Sequence, residues 1–137
     1  MTAVLVVDDD ANTRHMLRLV LEDEGYHVMQ AADGAAGLAA MRASPSPLVV
    51  LLDQLLPAMK GCELLARVKD DPDLRRHAYI VLTATTPSVF QNECGDLARE
   101  AGSEVIYKPF HLHQLLQAIT AVAARLPAAD HKRDQPD

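Results

Sequence analysis

The stretch LVVLLDQLLPAMKG, residues 48–61, decides the fold of this 137-residue chain. Its first five residues form the most hydrophobic run in the protein, which predicts a central strand buried on both faces. Asp53 follows that run directly. Three other short apolar runs also end at polar residues: Ala3–Val7 before Asp8, Asp9 and Asp10, Tyr79–Leu82 before Thr83, and Val105–Tyr107 before Lys108. The pattern predicts strands whose carboxyl ends carry polar side chains.

The segments between the apolar runs show the spacing of amphipathic helices. Five such helices are predicted. The first two cover about Asn12 to Glu24 and Gly34–Arg42, and the third contains Leu64, Leu65 and Val68 and ends at Asp70-Asp71-Pro72. The fourth extends from Phe90 to Ala101 and the last from Leu112 to Leu126. One further strand is predicted at His27–Ala31, and the run that ends at Tyr107 is predicted to form the fifth strand, Glu104–Tyr107. This alternation predicts an α/β protein with a doubly wound, five-stranded parallel sheet. One domain is expected over residues 1–126, followed by a polar, disordered tail at 127–137.

The composition narrows the classes of function. Apolar residues make up 49% of the chain, and the formal net charge is −6. The negative charge argues against non-specific binding of nucleic acid or of an anionic membrane surface. No apolar run reaches the length of a membrane span and no signal peptide is recognisable, so we expect a cytoplasmic protein. Cys62 and Cys94 show no CxxC pairing, and we expect both to be buried thiols in a reducing compartment.

The polar residues at the strand ends predict a specific chemistry. Because the carboxyl ends of parallel strands meet at one edge of a sheet, we expect Asp8, Asp9 and Asp53 to lie together there. Neighbouring carboxylates repel one another unless a cation neutralises them, and Mg²⁺ prefers such oxygen ligands. At the same edge, Lys108 can counter the charge of a phosphoryl group and Thr83 can donate a hydrogen bond to it. The sequence therefore predicts a site for a divalent cation and a phosphoryl group.

The set of motifs resembles that of the receiver domain of the two-component response-regulator family. The resemblance extends from about Thr2 to Leu126 and rests on these elements: Asp8-Asp9 after the first strand, the D-x-x-x-P-x-x-x-G pattern of Asp53, Pro57 and Gly61, Thr83-Ala84 after the fourth strand, and Lys108-Pro109-Phe110 after the fifth. Each motif alone is weak, but their order and spacing together are highly specific. The resemblance implies a flavodoxin-like (βα)5 fold with strand order 2-1-3-4-5.

The resemblance also implies a role for each site residue. Asp53 would accept a phosphoryl group from the phosphohistidine of a sensor histidine kinase or a phosphotransfer protein. Lys108 would contact the phosphoryl oxygens, and Thr83 would hydrogen-bond to them after transfer. Mg²⁺, for which Mn²⁺ can substitute, would be held by Asp8, Asp9, Asp53 and the backbone carbonyl of Leu55. Such a protein is a phosphoacceptor module that assists its own phosphorylation and dephosphorylation, and it is not an enzyme in the usual sense.

The expected output surface departs from the family pattern in two respects. The stretch from Thr83 to Gly102 is a few residues longer than usual and that from Gly102 to Lys108 is one residue shorter, and one position on the fifth strand carries a different residue type. Receivers usually have an aromatic residue three positions before the lysine, where this chain has Val105. Tyr107 lies two residues further on and therefore on the same strand face. The resemblance places the output surface on the fourth helix, the fifth strand and the last helix, with Thr83, Val105 and Tyr107 as switch residues. A downstream protein is the expected partner, without direct nucleic-acid binding or membrane insertion, and a homodimer is left open.

Alternatives to a stand-alone phospho-switch remain at this point. One alternative is that the chain is the receiver half of a larger transcriptional regulator, but the polar tail favours the hypothesis of a stand-alone protein. A phosphatase with an aspartyl-phosphate intermediate would need a second acid–base carboxylate just beyond Asp53, but Gln54 and Leu55 stand there. A receiver-like scaffold without phosphorylation is disfavoured by the complete set of site residues.

Overall fold

The computed structural model describes residues 2–127, which form five parallel strands and six helices. The strands are β1 (Ala3–Val7), β2 (His27–Ala31), β3 (Leu48–Asp53), β4 (Ala78–Thr83) and β5 (Glu104–Tyr107). The helices are α1 (Ala11–Asp23), α2 (Gly34–Ala43), α3 (Gly61–Asp70), α4 (Pro72–Arg75), α5 (Pro87–Glu100) and α6 (Leu112–Ala123). The strand order β2-β1-β3-β4-β5 confirms the predicted topology. The predicted tail lies, apart from Pro127, outside the described residues.

The sheet separates two hydrophobic clusters, as a doubly wound fold requires. One face of the sheet packs against α2, α3 and α5, and the other face packs against α1 and α6. The side chains of β3 alternate between the two clusters, so that Leu52 faces the first and Leu51 the second. Both are almost completely buried, which confirms that this hydrophobic run is a central strand.

Two strands extend one residue further than their apolar runs. Asp53 is the last residue of β3 and pairs in register with Leu82, while Thr83 is the last residue of β4 and pairs with Tyr107. Each polar side chain is therefore held by the sheet and not by a loop. This placement limits the positional freedom of both groups, because the backbone on either side is fixed by ladder hydrogen bonds.

The short helix α4 was not predicted from the sequence. The pattern around Leu64 was expected to close at Asp70-Asp71-Pro72 without a further helix. The chain instead starts a new turn there, because the Asp71 side chain accepts a hydrogen bond from the Asp73 N–H and Pro72 occupies the first helical position. Leu74 then becomes fully buried in the core. The helix that the sequence analysis counts as the fourth is consequently α5.

The expectation for the two cysteines was wrong. Cys62 near the start of α3 and Cys94 in α5 are joined by a disulfide, with their Cα atoms 5.5 Å apart. They are separated by 32 positions in the sequence and meet because α3 and α5 pack side by side on the same face of the sheet.

His77 is a buried polar link between the sheet and α2. Its Nδ1 atom accepts a hydrogen bond from the Leu48 N–H at 2.9 Å, and so its Nε2–H donates to the carbonyl oxygen of Met41 at 3.0 Å. Burial, and to a lesser extent the positive charge of Arg76, lowers the pKa of His77 to about 4. The ring is thus held in its neutral form.

None of the helices within residues 2–127 is both long enough and apolar enough to span a bilayer.

Candidate functional site

Three carboxylates meet at the carboxyl edge of the sheet, as the sequence predicted. Asp8 and Asp9 follow β1, and Asp53 ends the neighbouring strand β3. Each residue offers a carboxylate oxygen, and these oxygens lie within 4.8 Å of one another. Asp8 is only 3% exposed, Asp53 is half-buried and Asp9 is exposed. The site therefore opens to solvent on one side and is closed by the sheet on the other.

The backbone around Asp8 is tightly constrained. The Asp8 N–H donates to the carbonyl oxygen of Ala31 at 3.1 Å, which extends the pairing between β1 and β2 beyond the strand ends. The carboxylate of Asp8 accepts from the Asp10 N–H at 2.9 Å, and its backbone carbonyl accepts from Arg14 at 2.7 Å. Asp10 itself caps α1 by accepting from the Asn12 N–H. The turn formed by Asp8, Asp9 and Asp10 is thus held by hydrogen bonds to β2 on one side and to α1 on the other.

The electrostatics of this cluster favour a cation. Burial raises the pKa of Asp8 above its ordinary value, the hydrogen bond from Asp10 lowers it in part, and the negative charge of Asp53 raises it further. Lys108 acts in the opposite direction, with a smaller effect than Asp53. A donor set made of carboxylate oxygens suits a hard divalent ion such as Mg²⁺ or Mn²⁺. The residues present therefore fit the metal that the sequence predicted.

Lys108 lies beside Asp53. Its Nζ atom is 3.9 Å from Asp53 Oδ1, at the outer limit of an ion pair, and the side chain is about one-third exposed. Its backbone N–H donates to the carbonyl oxygen of Thr83 at 2.7 Å, so the start of the loop after β5 is tied to the end of β4. The Lys108–Pro109 peptide bond is cis.

Thr83 is fully buried at the end of β4, and its hydroxyl already has partners. The Thr83 Oγ1 atom lies 2.9 Å from the hydroxyl of Thr85 and accepts a hydrogen bond from the Thr85 N–H at 3.1 Å. The hydroxyl is thus engaged within its own loop. Any hydrogen bond to a group at Asp53 would have to replace these contacts.

The loop from Gln54 to Gly61 shapes the remaining wall of the site. The Leu55 N–H donates to Asp53 Oδ1 at 3.2 Å, while the Leu55 side chain is 56% exposed. The Gly61 N–H donates to the carbonyl oxygen of Gln54 at 3.0 Å and closes the loop. A Cβ atom at position 61 would lie 2.9 Å from Gln54 Oε1 and 3.1 Å from the Asp53 carbonyl oxygen. This close approach explains why glycine occupies the last position of the motif.

The two candidate switch residues on β5 share one face, as predicted. Val105 and Tyr107 are half-buried and both pack against the cluster that contains α5. The ring of Tyr107 meets Phe90 of α5 edge to face, with centroids 6.2 Å apart. Tyr107 is therefore the aromatic residue of β5 in direct contact with α5.

Sequence reasoning missed the environment of Gln54. Its side chain is 2% exposed, and its Nε2 atom lies 2.7 Å from Cys62 Sγ and 3.2 Å from Cys94 Sγ. The only signal in the sequence was the pair of cysteines, and their separation gives no indication of contact. Gln54 follows Asp53 directly, so the sulfur pair lies just behind the acidic cluster.

The chain is similar to known signalling proteins over most of its length. The family model described as "response regulator receiver domain" matches residues 4–120. Response regulator receiver protein CpdR of Brucella abortus is 35% identical over 120 residues, which cover 87% of this chain and 94% of CpdR. Transcriptional regulatory protein CseB of Streptomyces avermitilis is 34% identical over 136 residues, which cover 98% of this chain. The match covers 54% of CseB, so the chain spans about half the length of that relative.

Solved structures show the same likeness. Chemotaxis protein CheY4 of Vibrio cholerae superposes with a TM-score of 0.73 at 31% identity, covering 89% of this chain and 98% of CheY4. Response regulator protein TrrA of Thermotoga maritima, solved in complex with Mg²⁺–BeF, gives a TM-score of 0.75 at 25% identity. That alignment covers 89% of this chain and 99% of TrrA.

Proposed function

The chain belongs to the response regulator receiver family of two-component systems, and from this premise we propose that Asp53 accepts a phosphoryl group from a histidine kinase or phosphotransfer protein. The observation that carries the proposal is the convergence of Asp8, Asp9 and Lys108 around Asp53 at the end of β3. The protein acts in the cytoplasm as a phospho-switch and passes the signal to a downstream protein.

The transfer step uses the Asp53 carboxylate as the nucleophile. One carboxylate oxygen attacks phosphorus, the bond from phosphorus to the donor's imidazole nitrogen breaks, and the electron pair stays on that nitrogen, which takes up a proton. The hydrogen bond from the Leu55 N–H and the strand ladder of β3 hold the carboxylate in position. Positioning matters here because phosphoryl transfer depends mainly on alignment and charge neutralisation. The product is an acyl phosphate, which hydrolyses readily and so limits the duration of the signal.

The acidic cluster would hold the metal. Asp9 is exposed and available as a direct ligand, whereas the buried Asp8 would assist, in part through water. The remaining ligands would be Asp53 and the backbone carbonyl of Leu55. Bound Mg²⁺, or Mn²⁺ in its place, supplies positive charge that offsets the negative charge of the phosphoryl oxygens.

Lys108 and Thr83 would complete the binding of the phosphoryl group. The ammonium group of Lys108 is 3.9 Å from Asp53 Oδ1 and would move onto a phosphoryl oxygen. Thr83 would exchange its contact with Thr85 for a hydrogen bond to the same group. Because one hydrogen bond replaces another, the net free-energy cost of this exchange is small, on the order of 1 kcal/mol.

The movement of Thr83 would be transmitted to the output surface of α5, β5 and α6. Thr83 pairs with Tyr107 in the sheet, and Tyr107 packs against Phe90 of α5. A shift of the loop after β4 therefore acts on α5 from its N-terminal end and through this aromatic pair. We expect phosphorylation to shift a pre-existing equilibrium of this surface.

The test is the intact mass of the protein after incubation with acetyl phosphate. We expect one phosphoryl adduct on the wild type in the presence of Mg²⁺ or Mn²⁺, and none with excess EDTA or in Asp53→Asn. Asp10→Asn is the matched control, because it removes one negative charge from the same turn while asparagine still caps α1. An adduct that persists in Asp53→Asn, or one that forms equally well with EDTA, would contradict the proposal.

The same receiver chemistry serves either a stand-alone regulator or the receiver part of a longer transcriptional regulator. CpdR is matched over nearly its whole length, whereas CseB extends well beyond the matched region. The stand-alone form remains our proposal. It is tested by the intact mass of the protein isolated from its own cells: a mass equal to that of the 137 residues supports it, and a larger polypeptide contradicts it.

A further inference from the structure

The disulfide between Cys62 and Cys94 connects α3 to α5, the helix that contacts the candidate switch residue Tyr107. Cys62 lies in the first turn of α3, next to the loop that follows Asp53, and Cys94 lies in the middle of α5. The Cα separation of 5.5 Å is typical of a disulfide, so neither helix needs to move for the bond to form. The bond therefore fixes α5, part of the output surface, to α3, the helix that follows the loop after Asp53.

Gln54 links this disulfide to the site. Its backbone is held in place, because its N–H donates to the carbonyl oxygen of Leu82 and its own carbonyl oxygen accepts from the Gly61 N–H. Its side-chain Nε2 atom faces both sulfur atoms, while its Oε1 atom is buried without a hydrogen-bond partner among the described residues. A buried amide oxygen without a donor is unfavourable.

Reduction would change the hydrogen bonding available to Gln54. A disulfide has no S–H group, whereas two thiols provide two weak donors at the same positions. After reduction, a half-turn of the side-chain amide would let Oε1 accept a hydrogen bond from Cys62 or Cys94. The oxidised and reduced proteins therefore differ both in the covalent link and in the packing directly behind Asp53.

We propose that the Cys62–Cys94 pair is a reversible redox site that restrains α5 in its oxidised form and thereby weakens the response of the receiver to phosphorylation. This regulatory role rests on the proposed function of Asp53. The loop that follows Thr83 leads into α5 at Thr86, which caps the helix. A helix bonded to α3 through Cys94 cannot move freely with that loop, so the conformation that receives the phosphoryl group becomes less populated.

The redox step is an exchange with a low-molecular-weight disulfide such as oxidised glutathione. Cys62 is half-buried and Cys94 is 1% exposed, so the thiolate of Cys62 attacks first. It forms a mixed disulfide and releases one small thiol. The thiolate of Cys94 then displaces the second small thiol and closes the bond. Two protein thiols are oxidised, one small disulfide is reduced to two thiols, and the two protons leave with those products; a dithiol such as dithiothreitol reverses the reaction.

The experiment compares the full chain after treatment with oxidised glutathione and after treatment with dithiothreitol. Peptide mapping without reductant should show the Cys62–Cys94 link in the first sample and two free thiols in the second. Amide hydrogen exchange in residues 87–100 should be slower in the oxidised protein, by about fivefold or more, and phosphorylation by acetyl phosphate should be slower by a similar factor. Cys62→Ser and Cys94→Ala are the matched controls. Neither can form the link between the helices, so in neither should the two treatments change the phosphorylation rate or the amide exchange of α5 as they do in the wild type.

Three outcomes would overturn the inference: failure of the pair to link, equal amide exchange in α5 in both redox states, or phosphorylation that is detected in both states and proceeds at the same rate in each. A fourth pattern separates this inference from the function on which it rests. If α5 exchange responds to reduction while neither redox form is phosphorylated, the tether between the helices stands and the assignment of Asp53 as phosphoacceptor fails.

Discussion

Acidification should destabilise this protein through one buried histidine, His77. The ring accepts a hydrogen bond from the Leu48 N–H through Nδ1, so this nitrogen must be unprotonated in the folded state. Protonation would place two N–H groups face to face in the core and would leave a charge beside Arg76. The folded protein therefore resists protonation of His77, whereas the unfolded chain does not.

The size of the effect follows from the two pKa values. The pKa of His77 is about 4 in the folded protein, against 6.5 for an unperturbed histidine. Because the folded-state pKa is lowered, the stabilising contribution is complete above the unfolded pKa and is lost as the pH falls from 6.5 towards 4. Between about pH 7.5 and about pH 5, this linkage removes about 2 kcal/mol from the free energy of unfolding.

The assay is urea unfolding of the wild type and of His77→Gln at both pH values, followed by circular dichroism. The variant is expected to be less stable at neutral pH but to lose about 2 kcal/mol less than the wild type on acidification. Asp8, whose raised pKa favours the folded state as the pH falls, acts in the opposite direction in both proteins, and its effect cancels in the comparison. An equal loss of stability in both proteins would refute the assignment of the pH dependence to His77.

Three further predictions concern the site and its supports, and a fourth concerns the disulfide. Mg²⁺ at a hundredfold excess over its dissociation constant should stabilise the wild type by about 2.7 kcal/mol, which is measured as a rise in the melting temperature. If Asp9→Asn shows the same rise, Asp9 is not a ligand of the metal. Gly61→Ala should lower the free energy of unfolding in urea by about 1–3 kcal/mol, because its Cβ atom would lie 2.9 Å from Gln54 Oε1. An unchanged free energy of unfolding would show that the Gln54 side chain can move away without cost. Thr83→Val should still be phosphorylated but should lose the shift of amide resonances in α5, and a retained shift would remove Thr83 from the switch. Reduction of the disulfide, which spans 32 positions, should lower the free energy of unfolding by about 2–4 kcal/mol, and identical urea midpoints with and without dithiothreitol would contradict this value.

The secondary structure was largely predictable because its signals are local. The run at 48–52 consists entirely of apolar side chains, which predicts a strand buried on both faces. The structure places this strand in the centre of the sheet. Helical spacing indicated α1, α2, α3, α5 and α6 to within a few residues. The four-residue helix α4 was missed, because its start signal at Asp71-Pro72 is the same pattern that ends a helix.

The environment of individual side chains could not be predicted. Six histidines occur in the chain, and nothing in the sequence distinguishes His77 from the others. The environment of His77 depends on its contacts with Leu48 at the start of β3 and with Met41 near the end of α2. Both residues lie far from His77 along the chain. The link between Cys62 and Cys94 likewise depends on how α3 and α5 pack on the sheet.

The sequence by itself determined which residue types stand at the ends of the strands, and hence that carboxylates, a hydroxyl and an ammonium group are available. Only the tertiary structure decided their distances, with three carboxylates within 4.8 Å and Lys108 at 3.9 Å from Asp53. The physical reason is that strand formation depends on neighbouring residues, whereas the distances depend on strand order and register. These are set by the burial of both faces of the whole sheet.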